Sequence, residues 1–301
     1  MKQIIKNLTR EWKIRPRKNL GQNFLINPEI LEVISGAAEL TKSDTVLEIG
    51  AGTGVLTEML SQKAYRVTAV ELDEKLVLGL QKKFSAYPNV KIVKGDFLQL
   101  SLTDLVNSGT LISEKSKVVA NLPYYITSPI ILKLLNHTKL FERLVILVQK
   151  EVAERIVSAP GCKNYGAFSV AVQYFSDPEI IAFVPPEAFW PQPKVDSAVV
   201  RVLIRKIPRV QPLDEKMFFS VVRGGFAKRR KTIFRALVMA GKIFPELALV
   251  KEESIKRILT EVGVDSKRRA ETLTLEEFSK IADAIVLERG DLNGDEGNDV
   301  Y

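Results

Sequence analysis

Short apolar, β-branched runs alternate with stretches of helical periodicity between positions 45 and 204 of the chain. This alternation is typical of a doubly wound parallel sheet, in which helices cover both faces of the strands. The apolar runs predict strands at Thr45–Ile49, Arg66–Val70, Val90–Val93, Lys117–Ala120 and Leu144–Val148. The helical periodicity predicts helices at Leu56–Ala64, Glu74–Phe84, Pro129–Leu135 and Glu151–Val157.

Two further β-rich runs, Ile180–Val184 and Val195–Ile204, predict an antiparallel pair of strands that closes one edge of the sheet. Pro208 and Pro212 interrupt the chain after these runs, and the pattern beyond them is helical. It predicts helices at Glu215–Val222, Lys231–Ala240, Lys251–Val262 and Leu275–Leu287. The predicted fold is therefore a Rossmann-like α/β sheet over residues 21–207 with a smaller all-helical domain over residues 208–289.

Positive charge is concentrated in two separate segments of the 301-residue chain, whose net charge is +8. Residues 1–20, a predicted basic arm, hold seven Lys or Arg and one acid, and residues 201–270 hold eighteen Lys or Arg and seven acids. The acidic, glycine-rich run over residues 290–301 predicts a flexible tail. Clustered cations favour a polyanion such as a nucleic acid as partner, but a merely solvated basic surface is an alternative that charge alone leaves open.

The overall composition, with 46% hydrophobic and 27% charged residues, excludes disordered, collagenous and fibrous chains. One cysteine, Cys162, and one histidine, His137, are too few for a zinc cluster or an internal disulfide, so we expect no metal. No apolar run approaches the roughly 18 residues of a membrane span, and the first residues lack the apolar core of a signal peptide. We therefore expect a cytoplasmic protein without a membrane partner.

The glycine-rich run Glu-Ile-Gly-Ala-Gly-Thr-Gly at 48–54 follows the first predicted strand and opens a helix. Gly50 and Gly52 would let a ligand approach the backbone, although glycines also serve as plain turn residues. Glu71 ends the next strand, where a carboxylate can accept both hydroxyls of a ribose. Asp96 ends the third strand and could accept the amino group of an adenine; its alternative role is a cap for the following turn. The pattern indicates a nucleoside site.

The tetrapeptide Asn121, Leu122, Pro123 and Tyr124 directly follows the fourth predicted strand. An exocyclic amino nitrogen is a poor nucleophile because its lone pair is delocalised into the purine ring. If the Asn121 side-chain oxygen and the Leu122 carbonyl accept its two protons, the lone pair turns toward an electrophile. Pro123 would stiffen the loop, and Tyr124 offers a ring on which an extruded base can stack. A plain turn is the alternative for a lone tetrapeptide, but its position in a nucleoside-binding sheet favours catalysis.

Five segments make the chain resemble the small-subunit ribosomal RNA adenine dimethyltransferases, the kasugamycin-sensitivity enzymes. They are Arg-Lys-Asn-Leu-Gly-Gln-Asn-Phe-Leu at 17–25, Leu-Glu-Ile-Gly-Ala-Gly-Thr-Gly at 47–54, Asn-Leu-Pro-Tyr at 121–124, Phe-Trp-Pro-Gln-Pro-Lys-Val-Asp-Ser-Ala at 189–198 and Phe-Ala-Lys-Arg-Arg-Lys-Thr at 226–232. The resemblance runs from about residue 15 to residue 235, and the helical region after it also fits this family.

The resemblance implies N6-dimethylation of two adjacent adenosines near the 3′ end of 16S rRNA during assembly of the small ribosomal subunit. It implies S-adenosylmethionine as donor and S-adenosylhomocysteine as product, with the precursor of the small subunit as partner, and we expect a monomer. The residues that it places at or near the donor are Asn23, Leu25, Gly50, Glu71, Asp96 and Asn121. It also implies that Phe189 sandwiches the target adenine opposite Tyr124. The alternative for Phe189 is a hydrophobic plug.

Two groups of cations are candidates for contact with RNA phosphates. They are Arg17 and Lys18 near the N-terminus, and Lys228, Arg229, Arg230 and Lys231 in the second basic segment, where a solvated helix start is the alternative. A methyltransferase acting on another nucleic acid and a non-catalytic assembly or transcription factor are the competing functions. The Gly-Gln-Asn context at 21–23 favours the small-subunit enzymes. A nicotinamide dehydrogenase is disfavoured by the GxGxG spacing and by the absence of an evident acid or base for hydride transfer.

Overall fold

The computed structural model describes residues 1–17, 21–111, 116–248 and 250–295, with the backbone alone for 290–295. Contacts divide the chain into two compact units. The first consists of Met1–Val157 and Phe175–Lys206, and the second of Ser158–Tyr174 and the described residues from Ile207 onward. Residues 158–174, which the sequence analysis assigned to the α/β domain, thus belong to the second unit.

The secondary structure alternates through the first unit and is helical in the second. The strands are β1 Phe24–Leu25, β2 Thr45–Ile49, β3 Arg66–Glu71, β4 Val90–Lys94, β5 Ser116–Asn121, β6 Phe141–Gln149, β7 Ser176–Val184, β8 Phe189–Trp190 and β9 Ser197–Ile204. The α-helices are α1 Lys2–Glu11, α2 Pro28–Ala38, α3 Val55–Lys63, α4 Glu74–Lys83, α5 Leu102–Asn107, α6 Thr127–Leu135, α7 Lys150–Val157, α8 Ala167–Phe175, α9 Glu215–Phe226, α10 Ile233–Ala240, α11 Glu252–Glu261 and α12 Leu275–Asp295.

Among the described residues, seven strands form one sheet in the order β4-β3-β2-β5-β6-β9-β7. The five strands β4, β3, β2, β5 and β6 are parallel to one another. β9 runs antiparallel to both β6 and β7. Every residue of β2 is buried, as expected for a central strand that is covered on both faces. The predicted parallel sheet, its antiparallel edge pair and the helical C-terminal part are therefore confirmed.

The carboxyl ends of β2, β3, β4 and β5 lie at one edge of this sheet because these strands are parallel. Ile49 ends β2, Glu71 ends β3, Lys94 ends β4 and Asn121 ends β5. In open α/β sheets this edge, where the strand order reverses, is the usual place for a ligand. The topology thus brings four separate sequence motifs to one location: the glycine loop, Glu71, Asp96 and the tetrapeptide at 121–124.

The predicted basic arm is helical and packs on the first unit as far as it is described. Ile5 is fully buried, and Ile14 packs with it against Leu76 of α4. Trp12 lies so close to Gly79 of α4 that a Cβ there would be 2.2 Å from its Cδ2. A glycine on the α4 surface therefore makes room for the tryptophan, and α1 is held on the first unit by burial of apolar side chains.

The second unit has an aromatic core formed by its helices. Phe218 of α9 and Phe278 of α12 are fully buried, and Tyr174 of α8 stacks on Phe218 with ring centroids 5.0 Å apart. A Cβ at Gly224 would lie 2.7 Å from the Cβ of Ala240, so this glycine lets α9 and α10 pack closely. The backbone of α12 continues to Asp295, into the predicted tail, whose residues 296–301 lie outside the described residues.

Candidate active site

An open cleft lies at the carboxyl ends of β2 to β5 in the first unit. It contains about 730 Å³ of empty space, its open mouth included. Nine of the predicted site residues line it: Asn23, Gly50, Gly52, Glu71, Asp96, Asn121, Leu122, Pro123 and Tyr124. Leu25 lines a smaller cavity that shares Gly50, Gly52 and Asn121 with the cleft.

The glycine loop between β2 and α3 carries bare backbone to the wall of the cleft. Gly50, Gly52 and Gly54 have φ angles of 77°, 58° and 74°, in the left-handed region that favours glycine. A Cβ at Gly52 would lie 3.0 Å from the Phe24 ring, and one at Gly54 would lie 2.7 Å from Leu80. The backbone conformation disfavours a side chain at all three glycines, and packing also disfavours one at Gly52 and Gly54.

The Glu71 carboxylate is held by three backbone N–H groups. Its Oε2 accepts from Gly52 at 2.9 Å, and its Oε1 accepts from Leu72 at 2.8 Å and from Asp73 at 2.9 Å. Burial raises the pKa of Glu71, and the three hydrogen bonds oppose that rise. Because Oε2 accepts only one of these bonds, it retains capacity for a hydroxyl donor in the cleft. The ribose contact itself stays a prediction.

Asp96 lies in the turn after β4 with its carboxylate half-buried at the cleft. Its Oδ1 accepts from the Leu98 amide at 2.9 Å, which is the capping role that the sequence left open. Oδ2 accepts no hydrogen bond from the described residues. The capping role and contact with a ligand are therefore compatible, because they use different oxygens.

Asn121 has one orientation fixed by a backbone contact. Its Nδ2 donates to the carbonyl of Asn23 at 3.0 Å, which leaves Oδ1 as the open acceptor. The Leu122 amide donates to Leu147 of β6 at 3.1 Å, whereas the Leu122 carbonyl accepts no hydrogen bond from the described residues. Two carbonyl-type oxygens from consecutive residues thus lie at the cleft without a hydrogen-bond donor from the described part of the chain.

Tyr124 is half-buried, and its hydroxyl is fixed by Ser197 at the start of β9. The two oxygens are 2.6 Å apart. Burial raises the pKa of Tyr124, and the hydrogen bond to Ser197 opposes that rise, so the phenol is neutral at physiological pH. One ring of the predicted adenine sandwich therefore lies in the wall of the cleft with its polar end anchored.

The structure places Phe189 in the core of the first unit and outside the lining of the cleft. Phe189 is 2% exposed and packs in a hydrophobic cluster with Leu25, Ile34 and Val199. It pairs with Leu25 in the short β1–β8 ladder and does not line the cleft. Alternation along β8 turns Phe189 into the core, while the next residue, Trp190, contacts Phe24. These contacts favour the hydrophobic plug, and the sandwich with Tyr124 stays a prediction.

Two polar groups near the cleft, Lys133 and Glu48, were not predicted from the sequence as site residues. Lys133 of α6 donates to three carbonyls of the turn that carries Asp96. Glu48 is 1% exposed, and its Oε2 accepts from Thr57 at 2.6 Å. Burial raises the pKa of Glu48 to about 8. Only Glu48 had a signal in the sequence, as an acid within an otherwise apolar strand.

The family described as ribosomal RNA adenine dimethylase matches residues 14–281, which is most of the sequence. The chain belongs to this family. It is 44% identical over 271 residues to Ribosomal RNA small subunit methyltransferase A of Shouchella clausii (strain KSM-K16), with 89% of each chain covered. It is 42% identical over 280 residues to the protein of that name from Clostridium botulinum (strain Kyoto / Type A2), covering 93% of this chain and 98% of the relative.

Two solved structures are similar over nearly the whole enzyme. A dimethyladenosine transferase from Plasmodium falciparum has a TM-score of 0.73 at 28% identity and covers 90% of this chain and 98% of its own. The 23S rRNA methyltransferase ErmE has a TM-score of 0.65 at 25% identity and covers 88% and 100%. The family resemblance, the fold class and the assignment as a methyltransferase are thereby confirmed.

The enzyme carries the predicted RNA-contact cations in two exposed places. Arg17 lines a recess whose other cations are Lys13, Arg15 and Lys75, and its Nε lies 3.7 Å from the buried Asp73. Lys18 lies outside the described residues. The loop between α9 and α10 exposes Lys228, Arg229, Arg230 and Lys231. Arg229 donates to the Lys163 carbonyl at 3.4 Å; the other three side chains have no hydrogen bond or ion pair with the described residues.

Neither a metal cluster nor a membrane span is found in the described part of the chain. No group of three or more His, Cys, Asp and Glu there could hold a metal ion. No helix within the same residues is long and apolar enough to cross a bilayer.

Proposed function

We propose that the chain catalyses S-adenosylmethionine-dependent N6-dimethylation of two adjacent adenosines near the 3′ end of 16S rRNA during assembly of the small subunit. The observation that carries the proposal is the pair of open acceptors, Asn121 Oδ1 and the Leu122 carbonyl, beside a cleft with the groups for a nucleoside. The names of the bacterial relatives, which specify the small subunit, support this choice of substrate.

The donor half of the cleft, formed by the glycine loop, Glu71 and Asp96, has polar groups that suit S-adenosylmethionine. Gly50 and Gly52 line the cleft without side chains, so a ligand can approach their backbone. Glu71 Oε2 would accept from the ribose hydroxyls, and Asp96 Oδ2 would accept from the adenine amino group. When bound, the donor supplies a methyl group on a positively charged sulfur, which is electrophilic without a metal.

The acceptor half would raise the nucleophilicity of the adenine amino group. Since Asn23 holds the Asn121 amide, Oδ1 is preorganised and needs no reorientation when the target base enters. Hydrogen bonds from the amino group to Asn121 Oδ1 and the Leu122 carbonyl would turn the nitrogen lone pair out of the ring plane. In each of two rounds the nitrogen gains a methyl group and loses one proton.

The target adenine must leave its stack to reach this cleft, and Tyr124 offers the ring that would receive it. The anchored hydroxyl keeps the ring in place before the base arrives. A stacked base on one aromatic ring contributes roughly 1 to 3 kcal/mol, which offsets part of the unstacking cost. We propose no part for Phe189 in this step, because its ring packs in the core.

The two basic places would bind the phosphates of the precursor small subunit, the proposed partner. Replacing Lys228, Arg229, Arg230 and Lys231 by glutamine should flatten the salt dependence of RNA binding by up to about 0.7 to 0.9 per lost phosphate contact. The control is K251Q with K256Q, which removes two exposed cations from α11 in the same unit. An unchanged slope in the loop variant would mean that the loop is only a solvated surface. We expect a cytoplasmic monomer.

Methylation of large-subunit rRNA is the second candidate, because ErmE shares the fold over nearly the whole chain. The higher identity to small-subunit enzymes, 44% against 25%, favours the first. The decisive experiment incubates the purified chain with labelled S-adenosylmethionine and either undermodified small subunits or 23S rRNA, and then maps the methylated base. Two dimethylated adjacent adenosines in 16S rRNA are expected. Label on 23S rRNA alone would select the second candidate, and label on neither would leave a non-catalytic assembly role.

A further inference from the structure

Lys133 of α6 uses its whole ammonium group on one backbone turn. Its Nζ lies 2.8 Å from the carbonyl oxygen of Phe97, 2.9 Å from that of Leu98 and 2.6 Å from that of Leu100. The same Nζ lies 5.2 Å from the centroid of the Phe97 ring. An ammonium has three donors, so all of them are committed to this turn.

The turn that Lys133 holds is the one that brings Asp96 to the cleft. Asp96 Oδ1 accepts from the Leu98 amide, and the Asp96 carbonyl accepts from the amides of Gln99 and Leu100 at 2.9 and 3.1 Å. Asp96 and Phe97 both line the cleft. Three carbonyls converging on one point repel one another unless a cation lies between them, so the conformation of the turn depends on Lys133.

The lysine also links the turn to the loop that holds the acceptor groups. α6 begins at Thr127, three residues beyond the end of the tetrapeptide, and Thr127 Oγ1 donates to the carbonyl of Pro123 at 3.0 Å. Burial lowers the pKa of Lys133 and the charge on Asp96 opposes that change, which agrees with their proximity in the fold. One helix thus spans from the loop of Asn121 to the turn of Asp96.

We propose that Lys133 is a positioning residue for recognition of the donor: it fixes the turn at 96–100 so that Asp96 can accept the amino group of the donor's adenine. This inference rests on the proposed function, because it takes the cleft to bind S-adenosylmethionine. It goes further by assigning selection of adenine over other purines to a lysine that does not itself touch the donor. A lysine that only stabilises the fold would not affect this selection.

The test is calorimetric titration with S-adenosylhomocysteine and with S-inosylhomocysteine, in which an oxygen replaces the amino group. The wild-type chain should prefer the adenine compound. K133M should weaken binding of S-adenosylhomocysteine by about 10- to 100-fold, the range for hydrogen bonds to a charged group, and should change binding of the inosine compound much less. The preference should therefore collapse. K91M is the matched control, because Lys91 makes one hydrogen bond, to Thr110, from the opposite end of β4.

A second variant keeps the test decisive if K133M does not fold, as judged by circular dichroism. K133Q retains two N–H donors without the charge, and it should lose part of the preference. In a D96A background either substitution at position 133 should have little further effect on the preference, because Lys133 acts through Asp96. A full preference in folded K133M or K133Q, or the same loss in K91M, overturns the proposal.

Failure of this inference and failure of the proposed function give different results. If the wild-type chain methylates 16S rRNA but binds both homocysteine compounds equally, the role of Lys133 is wrong while the proposed function stands. If the chain binds neither compound and transfers no methyl group, the proposed function is wrong and the inference falls with it.

Discussion

The half of the cleft proposed to bind the methyl donor, with Glu71 and Asp96, and the half proposed to bind the target base, with Asn121 and Leu122, differ in how many hydrogen bonds their polar groups already make. On the donor side, Glu71 accepts three backbone hydrogen bonds, and the turn of Asp96 is held by Lys133. On the acceptor side, Asn121 Oδ1 and the Leu122 carbonyl accept no hydrogen bond from the described residues. A site that binds a ligand through backbone shape can be satisfied in advance, whereas a site that activates an incoming amino group must keep its acceptors open.

The largest change in the free energy of unfolding is expected from titration of Glu48, in the strand that precedes the glycine loop. Its folded-state pKa of about 8 lies above the ordinary value of 4.5, so the folded chain retains a proton that the unfolded chain has released. Its contribution to stability is therefore present below pH 4.5 and is lost as pH rises to about 8, by at most roughly 5 kcal/mol at 1.36 kcal/mol per pKa unit.

E48Q removes this titration but can still accept the hydrogen bond from Thr57. The free energy of unfolding of E48Q minus that of the wild-type chain should rise between pH 4.5 and 8. Urea denaturation of both proteins across this range measures the difference, in which other titrating groups cancel. A difference that stays constant with pH would show that Glu48 is ionised throughout.

Substitutions at Phe189 distinguish a role in core packing from a role in binding the target base. F189A should destabilise the chain by about 3 to 5 kcal/mol, because it removes a buried aromatic ring from the core. F189L should recover most of that stability and most of the methylation rate, since a plug needs volume and not a flat ring. Thermal unfolding and methylation below the melting temperature measure the two quantities. A stable F189L with little activity would restore the sandwich.

N121A should impair methyl transfer without impairing binding of the methyl donor. Methyl transfer should fall by about 100- to 1,000-fold, the usual effect of removing one preorganised polar group that acts in the transition state. Affinity for S-adenosylmethionine should change little, because the Asn121 amide contacts Asn23 only through its backbone carbonyl. Single-turnover rates and calorimetric titration check the two parts. Equal losses in rate and in donor affinity would contradict the division of the cleft into halves.

E71A should weaken binding of the methyl donor, and this change in free energy is the smallest of those predicted. Donor affinity should fall by the roughly 1.5 to 3 kcal/mol typical of a hydrogen bond to a charged group, while the rate at saturating donor should fall less than in N121A. E71Q is the control, because its amide oxygen can still accept from Gly52. Calorimetric titration with S-adenosylmethionine compares the variants. Unchanged affinity in E71A would remove Glu71 from the ribose site.

Most of the fold could be predicted because its signals are local and periodic. The strand prediction Thr45–Ile49 coincides with β2, and the other predicted strands differ from β3 to β6 by a few residues at their ends. The two-residue strands β1 and β8 were missed because two residues show no periodicity. The helix α2 was missed although Asn27 caps it and Pro28 begins it, which are recognisable start signals.

The place of the candidate site was predictable from the sequence, because the glycine loop, Glu71, Asp96 and the tetrapeptide at 121–124 are short motifs that lie at strand ends. The direction in which Phe189 faces depends on tertiary packing, because its partner Leu25 is more than 160 residues away in the chain. The same holds for Lys133, whose three acceptors belong to a turn more than thirty residues earlier. Side-chain partners distant in the chain leave no periodic signal, since they are selected only when the packed elements meet.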